Sequence, residues 1–485
     1  MTVTTLRQGG SVRDALDIQV RTDPARSILA VDDLVGIALR HNPKRAHLLV
    51  STVLAKHVPT VPGIALAAGE LLGLLVSDAV GGVSQPQAGE FGDRLAALVA
   101  RLAEDAEPTA QPTDLTTLDQ SQHDLTGLRR DIRAATTARS GVVTIGYAET
   151  ATGLGQLVAD ALGSYYLHST RHAPDGATPY AGFAEEHSHA TDHALLPSDP
   201  DWLRAGGTAI LVDDELSTGS TVINTITALQ TRSPQRHWVV ASLIDLRSPA
   251  DLARFDQLAA TLGTRISVVC LAAGTIDLPT DVLPRAGRLI ESLPTAAPAP
   301  DAHGELILLD CTDLPPVRSA RFGTTAPVDA ALASAIAARL GDVLPTGQPA
   351  PGDRGVLVVG SEEFIALPML IADALGQVAA PRPIRFSTST RSPIATLDQP
   401  DYPIKSAIRF RSHDTTSDGA GVRFAYNLTT AGRSFGTVVF LPEPGTDPAR
   451  LAGDDGVIDA LRRVSDQVVV VLLTASAPTD WIPAP

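Results

Sequence analysis

The sequence predicts an α/β fold: a parallel sheet with its helices, followed by a second α/β unit that repeats the first in outline. Three observations carry this. Short apolar runs such as Thr208-Ala-Ile-Leu-Val212 and Trp238-Val-Val-Ala-Ser-Leu-Ile-Asp245 are hydrophobic on both faces, as strands covered on both sides must be. These runs alternate with helical periodicities, as in Val222, Ile223, Ile226 and Leu229. The order strand, glycine-bearing loop, helix appears at Thr144–Leu162 and again at Val356–Leu375.

Composition sets the outer bounds. The 485 residues favour two or three domains, and 44% hydrophobic against 19% charged residues describes a folded chain rather than a disordered one. A net charge of -16 argues against nucleic acid or an anionic membrane as partner. Cys270 and Cys311 both lie in apolar runs, which reads as two buried thiols and a cytoplasmic chain. The N-terminus has no apolar signal core, and the stretch from Gly63 to Val76 is short for a membrane span and contains Glu70.

In chain order, residues 1–14 read as a loose tail, and Leu16, Ile18 and Val20 alternate as a strand would. Residues 31–40 and 44–53 read as short helices separated by the turn His41-Asn42-Pro43. Lys44, Arg45 and Lys56 concentrate positive charge there, either as a solvated face or as a cap over an anionic ligand. Residues 63–104 are apolar and helical, 105–113 a polar loop, and Leu125–Ala135 an amphipathic helix. Val142, Val143 and Ile145 form a strand, Gly146 opens a turn, and Tyr147, Ala148, Glu149 and Thr150 line the loop before the next helix. Residues 164–171 form a strand ending at Arg171. The segment from there to Trp202 is long, irregular and dense in ionisable groups: Glu185, Glu186, His187, His189, Asp192 and His193. Such a loop is a functional lid, a solvated surface loop or, by its histidine spacing, a zinc ligand set with no Cys and no supporting carboxylate placed to complete a closed site.

The most informative stretch is Thr208–Thr221. Its strand ends in Asp213 and Asp214, and Ser217, Thr218, Gly219, Ser220 and Thr221 lead into a helix. The first amides of a helix lack intrahelical partners and the helix dipole favours negative charge there, so this loop is an anion cradle. Two carboxylates would repel an anion but accept hydrogen bonds from vicinal hydroxyls. A phosphate beside a diol is a ribose 5-phosphate.

This pattern resembles the phosphoribosyl-pyrophosphate (PRPP) motif of the type I phosphoribosyltransferases. The resemblance implies that Asp213 and Asp214 hold the ribose hydroxyls and Ser217 to Thr221 the 5-phosphate, while Gly146, Tyr147, Ala148, Glu149, Thr150 and Arg171 receive pyrophosphate. Lys44, Arg45 or Lys56 would face pyrophosphate or an acidic base. The segment Glu185–His193 would be the lid, with Glu185, Glu186, His187 and His189 as its catalytic side chains. It implies Mg2+ as cofactor, reached by Asp213 and Asp214 through PRPP. The implied partners are PRPP and a small-molecule base, in a homodimer. A PRPP or nucleotide sensor without turnover is the other reading.

After the Pro- and Ala-rich linker, Val356-Leu-Val-Val-Gly360 and Leu370–Leu375 parallel Thr144–Gly146 and Leu157–Leu162. Ser389-Thr-Arg391 parallels Ser169-Thr-Arg171, Arg411-Ser-His413 parallels His187-Ser-His189, and Thr437–Leu441 parallels Thr208–Val212. Where the first copy has its acids and loop, the second has Pro442-Glu-Pro-Gly-Thr446, so its ribose site is eroded. Thr390-Arg-Ser-Pro393 resembles the signature of the TRSP domain, found behind a phosphoribosyltransferase domain in gene clusters tied to tellurite resistance and stress. The expected division is a tail at 1–14, a phosphoribosyltransferase domain with an N-terminal cap region at 15–294, a linker at 295–304 and a degenerate TRSP domain at 305–485. Arg391, Ser392, Arg409, Arg411 and His413 form an anion pocket of the second unit or a solvated basic face.

Overall fold

The computed structural model describes residues 11–40, 42, 46–104, 115–173, 177–184, 192–293, 303–346, 350, 352–379, 382–413, 421–453 and 455–476. The chain builds two separate mainly parallel sheets. The first uses β1 (Gln19–Thr22), β2 (Val143–Gly146), β3 (Tyr165–His168), β6 (Thr208–Leu216), β7 (His237–Asp245) and β8 (Arg265–Asp277), in the order β1-β8-β7-β6-β2-β3. Only the edge strand β1 is antiparallel. A small hairpin, β4 (Ala181–Ala184) and β5 (Asp192–Leu195), follows β3. Every residue of β7 is buried, which is why its sequence reads apolar without alternation.

Helices α1 (Pro62–Gly81), α2 (Gln87–Glu104) and α3 (Leu115–Ala135) precede β2; α4 (Thr152–Leu162), α5 (Ser220–Arg232) and α6 (Pro249–Leu262) connect the parallel strands. Helix α1 is longer than the apolar stretch suggested, and by length and composition it passes the test for a membrane span. It is buried beside the sheet instead, packed on α3 and α4. Its Glu70 is held by Arg129 at 3.1 Å and Arg133 at 2.5 Å. The expected helices at 31–40 and 44–53 are a correction: after one helical turn, Val35–Leu39 and His47–Ser51 form an antiparallel hairpin. Val35, Ile37 and Leu39 alternate at period two and are buried, and packing decided in favour of that period.

The second sheet is wholly parallel, with β9 (Glu305–Asp310), β10 (Val356–Gly360), β11 (Ile384–Thr388), β14 (Thr437–Leu441) and β15 (Gln467–Leu472) in the order β9-β15-β14-β10-β11. Helices α7 (Ala330–Val343), α8 (Ala366–Val378) and α9 (Val457–Arg462) cover it, and β12 (Ala407–Arg411) pairs with β13 (Val422–Tyr426) in a hairpin. The repeat holds at the level of single hydrogen bonds. Gly146 pairs with His168 and Val212; Gly360 pairs with Thr388 and Leu441. The Ala148 amide donates to Ser169 Oγ at 2.9 Å, and the Glu362 amide to Ser389 Oγ at 3.1 Å. Thr170 bridges to Ala194 and Thr390 to Phe424. In this register Arg411 takes the place of Ala184, not of His187, which lies outside the described residues. The sheets differ in the added antiparallel strand β1 of the first and in one connection: β8 is reached last in the first sheet, whereas the equivalent β9 comes first in the second.

The two halves exchange arms. The segment before α1 crosses to the second sheet, where Thr60 pairs with Phe386. The segment before α7 crosses back, where Thr324 pairs with Tyr166, the residue equivalent to Phe386. Helices α4 and α8, equivalent in the repeat, pack on each other between the sheets.

Candidate functional site

The residues singled out in the sequence lie largely at the carboxyl ends of β2, β3 and β6, neighbours in the first sheet and the end where α/β sheets bind ligands. Strand β6 does not stop before the acids. It runs through Asp213, Asp214 and Glu215 to Leu216. Successive side chains of a strand leave on opposite sides, so the Asp213 and Asp214 carboxylates leave the backbone in different directions. One oxygen of Asp213 accepts the Asp214 amide at 3.0 Å, and the Asp213 charge acts on Tyr147. The Asp214 carboxyl is pushed up by burial and by the charge of Glu215, and Lys56 opposes that rise.

The loop at 217–219 turns the chain from β6 into α5. Gly219 is the helix N-cap at φ 72° and has no side chain of its own to offer, while Thr218 Oγ1 accepts the Ser220 amide at 3.3 Å. A Cβ there would meet the Phe255 ring at 2.5 Å; the glycine is needed for the turn and for α6 packing, beyond any approach of a ligand. Two cations flank the loop. Arg254 reaches Ser220 Oγ at 3.3 Å, and Arg247 lies over the Phe255 ring at 4.2 Å, held by Asp245.

The loop after β2 carries Tyr147, Ala148, Glu149 and Thr150, and the Ala148–Glu149 peptide is cis. Lys56, 3% exposed, reaches Glu149 Oε1 at 3.4 Å and Thr150 Oγ1 at 3.3 Å. From the other side Arg171 Nη2 donates to His193 Nε2 at 3.3 Å. A guanidinium only donates, so the His193 proton sits on Nδ1 and is shared with Ser169 Oγ at 2.9 Å. Asp213, Asp214, Ser217–Thr221, Gly146–Thr150, Lys56 and Arg171 thus come from the ends of three adjacent strands and one crossing arm. Lys44, Arg45, Glu185, Glu186, His187 and His189 lie outside the described residues.

Residues 34–275 match the family model described as phosphoribosyl transferase, and residues 318–461 match the TRSP domain described as C-terminal to it. The chain belongs to this two-domain phosphoribosyltransferase family. Among solved structures it is similar to adenine phosphoribosyltransferase from Leishmania donovani, 14% identical over 32% of this chain and 68% of that one, with a TM-score of 0.21. It is similar to adenine phosphoribosyltransferase from Rhodothermus marinus, 20% identical over 34% of this chain and 88% of that one, TM-score 0.20. Orotate phosphoribosyltransferase from Aeropyrum pernix is 20% identical over 36% and 82%, TM-score 0.19. No curated protein matches the sequence.

Sequence reasoning missed several residues at the site of this phosphoribosyltransferase. Arg254 and Arg247 sit on or before a helix more than twenty-five residues after the loop they flank, with no local pattern to mark them. Glu363 of the TRSP half accepts hydrogen bonds from Thr170 Oγ1 at 2.7 Å and from the Arg171 amide at 2.8 Å. The proposed TRSP anion pocket is split: Arg391 is bound to Glu362 at 3.0 Å and buried His413 lies 3.2 Å from Ser361 Oγ, whereas Arg409 and Arg411 are exposed on β12.

Proposed function

We propose that the phosphoribosyltransferase half binds PRPP with Mg2+ and transfers ribose 5-phosphate to a nucleobase-like acceptor, releasing pyrophosphate, or runs the reverse. The observation that carries the reading is the meeting, at the carboxyl ends of neighbouring strands, of an acid-bearing strand, a hydroxyl-rich helix N-terminus and a loop contacted by a buried lysine. In this reading Asp213 and Asp214 accept from the ribose hydroxyls, and Ser217 to Thr221 with the α5 amides hold the 5-phosphate. Gly146 to Thr150, Lys56 and Arg171 take the pyrophosphate. The acceptor nitrogen forms the bond to C1 as the C1–O bond to pyrophosphate breaks, the oxygen keeping the electron pair. Binding energy at the remote phosphate holds C1 for attack.

Hard carboxylate oxygens on a strand crowded with negative charge fit Mg2+, which uses one or two carboxylates plus substrate phosphates. Among the described residues no cluster of three or more His, Cys, Asp or Glu is placed to hold a metal, which favours an ion arriving with the substrate. Bound there, it neutralises charge on the leaving group. Glu185, Glu186, His187 and His189 belong in this proposal to a lid that excludes water from C1. The domains run 15–294 and 305–485, the setting is cytoplasmic, and the product is a nucleotide-like stress metabolite.

The test is titration of PRPP with Mg2+ into wild type and into Asp213→Asn, Asp214→Asn and the double variant, with pyrophosphate release measured over a panel of bases. Loss of PRPP affinity in the variants and base-dependent pyrophosphate release are expected. Binding without release for any base would make the protein a sensor; equal affinity in all variants would remove the ribose assignment.

A further inference from the structure

The TRSP half contacts the backbones of two cationic residues of the first half, Arg171 and Lys56. Glu363, buried, holds Thr170 and the Arg171 amide, and Arg321 Nη2 lies 3.6 Å from its Oε2. On the other side of the β2 loop, the Lys56 carbonyl accepts from Ser387 Oγ at 2.9 Å, while its ammonium goes to Glu149 and Thr150. The two cations therefore have their backbones held by the second half and their side chains committed to the first.

The equivalent place in the TRSP half is filled. Glu362 stands where the first half has Ala148, and its carboxylate receives Arg423 Nε at 2.5 Å, Arg391 Nε at 3.0 Å and His172 Nε2 at 3.3 Å. Arg391 and Arg423 are the counterparts of Arg171 and His193. An internal anion thus occupies the position that the first half leaves to a small residue, which makes the second copy a fixed scaffold.

We propose that the TRSP half is a positioning element for the pyrophosphate end of the first-half site, with Glu363 setting Arg171 and Ser387 setting Lys56. This rests on the PRPP reading above. A cation held by backbone contacts from a separate sheet cannot follow local motion of its own loop, which is what a preorganised anion site requires.

The experiment is calorimetric titration of the full chain with ribose 5-phosphate and, separately, with magnesium pyrophosphate, for wild type, Glu363→Gln and Ser387→Ala. The Glu363→Gln variant is expected to lose about tenfold in pyrophosphate affinity, the size of one charge-assisted hydrogen bond, and to keep ribose 5-phosphate affinity within about twofold. Ser387→Ala, a gentler change, is expected to shift the same ligand in the same direction. General destabilisation would weaken both ligands together, so a parallel loss overturns the proposal, as does no loss in either variant. A wild type that binds neither ligand overturns the PRPP reading and this proposal with it. A wild type that binds both, with variants that match it, overturns only the positioning role.

Discussion

Lys56 shows how much one buried charge can carry. It is the cation between Glu149 and the acid-bearing strand, and its charge opposes the upward push that burial and Glu215 exert on Asp214. Removing one partner of a buried pair leaves the other charge uncompensated, so Lys56→Ala should cost about 3 kcal/mol at neutral pH in urea unfolding. The loss should shrink toward acid pH, where the Asp214 carboxyl, pushed up by burial and by Glu215, becomes neutral and no longer needs a counterion. A loss independent of pH would mean that the lysine acts through packing alone. His172 gives the opposite sign. Burial works against its charge, but Glu363 and Glu362 raise it to about 9, with Arg321 working the other way. A group raised on folding stabilises fully below its unfolded value of 6.5 and loses that contribution as pH climbs through about 9. Stability should therefore fall across that window by on the order of 3 kcal/mol at most, and His172→Gln should flatten the profile. The lowered carboxyls of Glu362 and Glu363 share the His172 contact, which is counted once, and are held down also by Arg423 and Arg391 for Glu362 and by Arg321 for Glu363.

At the scale of elements, the turn from β6 to α5 joins conformation to packing. Gly219 at φ 72° lies against Phe255 of α6, so Gly219→Ala is strained twice, and a loss of about 2 kcal/mol in urea unfolding is expected. An unchanged midpoint would show that the turn and α6 shift freely. The same turn shows what local sequence can reveal. Strands β2, β6 and β7, the loop from Ser217 to Thr221 and the repeat were legible because continuous apolar runs, hydroxyl-rich turns and helical periods are short-range signals. The hairpin at 35–51 was misread because the chain makes a helical turn at Val31–Leu34 and changes period at once. The extension of β6 to Leu216 was hidden because Asp213, Asp214 and Glu215 read as a loop, although their backbone stays extended. Arg254, Glu363 and the crossing arms left no trace, since each acts on residues far away along the chain.

For the whole molecule, the shared core decides how the halves behave. Leu66 and Leu157 of the first half sit in one apolar cluster with Ile365, Met369 and Ile371 of the second. In return Ile394, Tyr402 and Tyr426 of the second half sit in the first half's cluster with Leu39 and Ile64, and the Tyr402 hydroxyl accepts the Leu39 amide at 2.9 Å. Two domains joined only by a linker melt separately, whereas halves that bury each other's side chains lose both cores when either opens. The α4–α8 face is used up inside the chain, so a homodimer would have to form through another surface. Differential scanning calorimetry of the full chain should therefore show a single transition in which calorimetric and van't Hoff enthalpies agree. Leu157→Ala and Met369→Ala, one from each half, should lower that one transition together, each costing about 2–5 kcal/mol. Two resolved peaks, with each substitution moving only its own, would mean that the arms and the common cluster do not bind the halves into one cooperative unit.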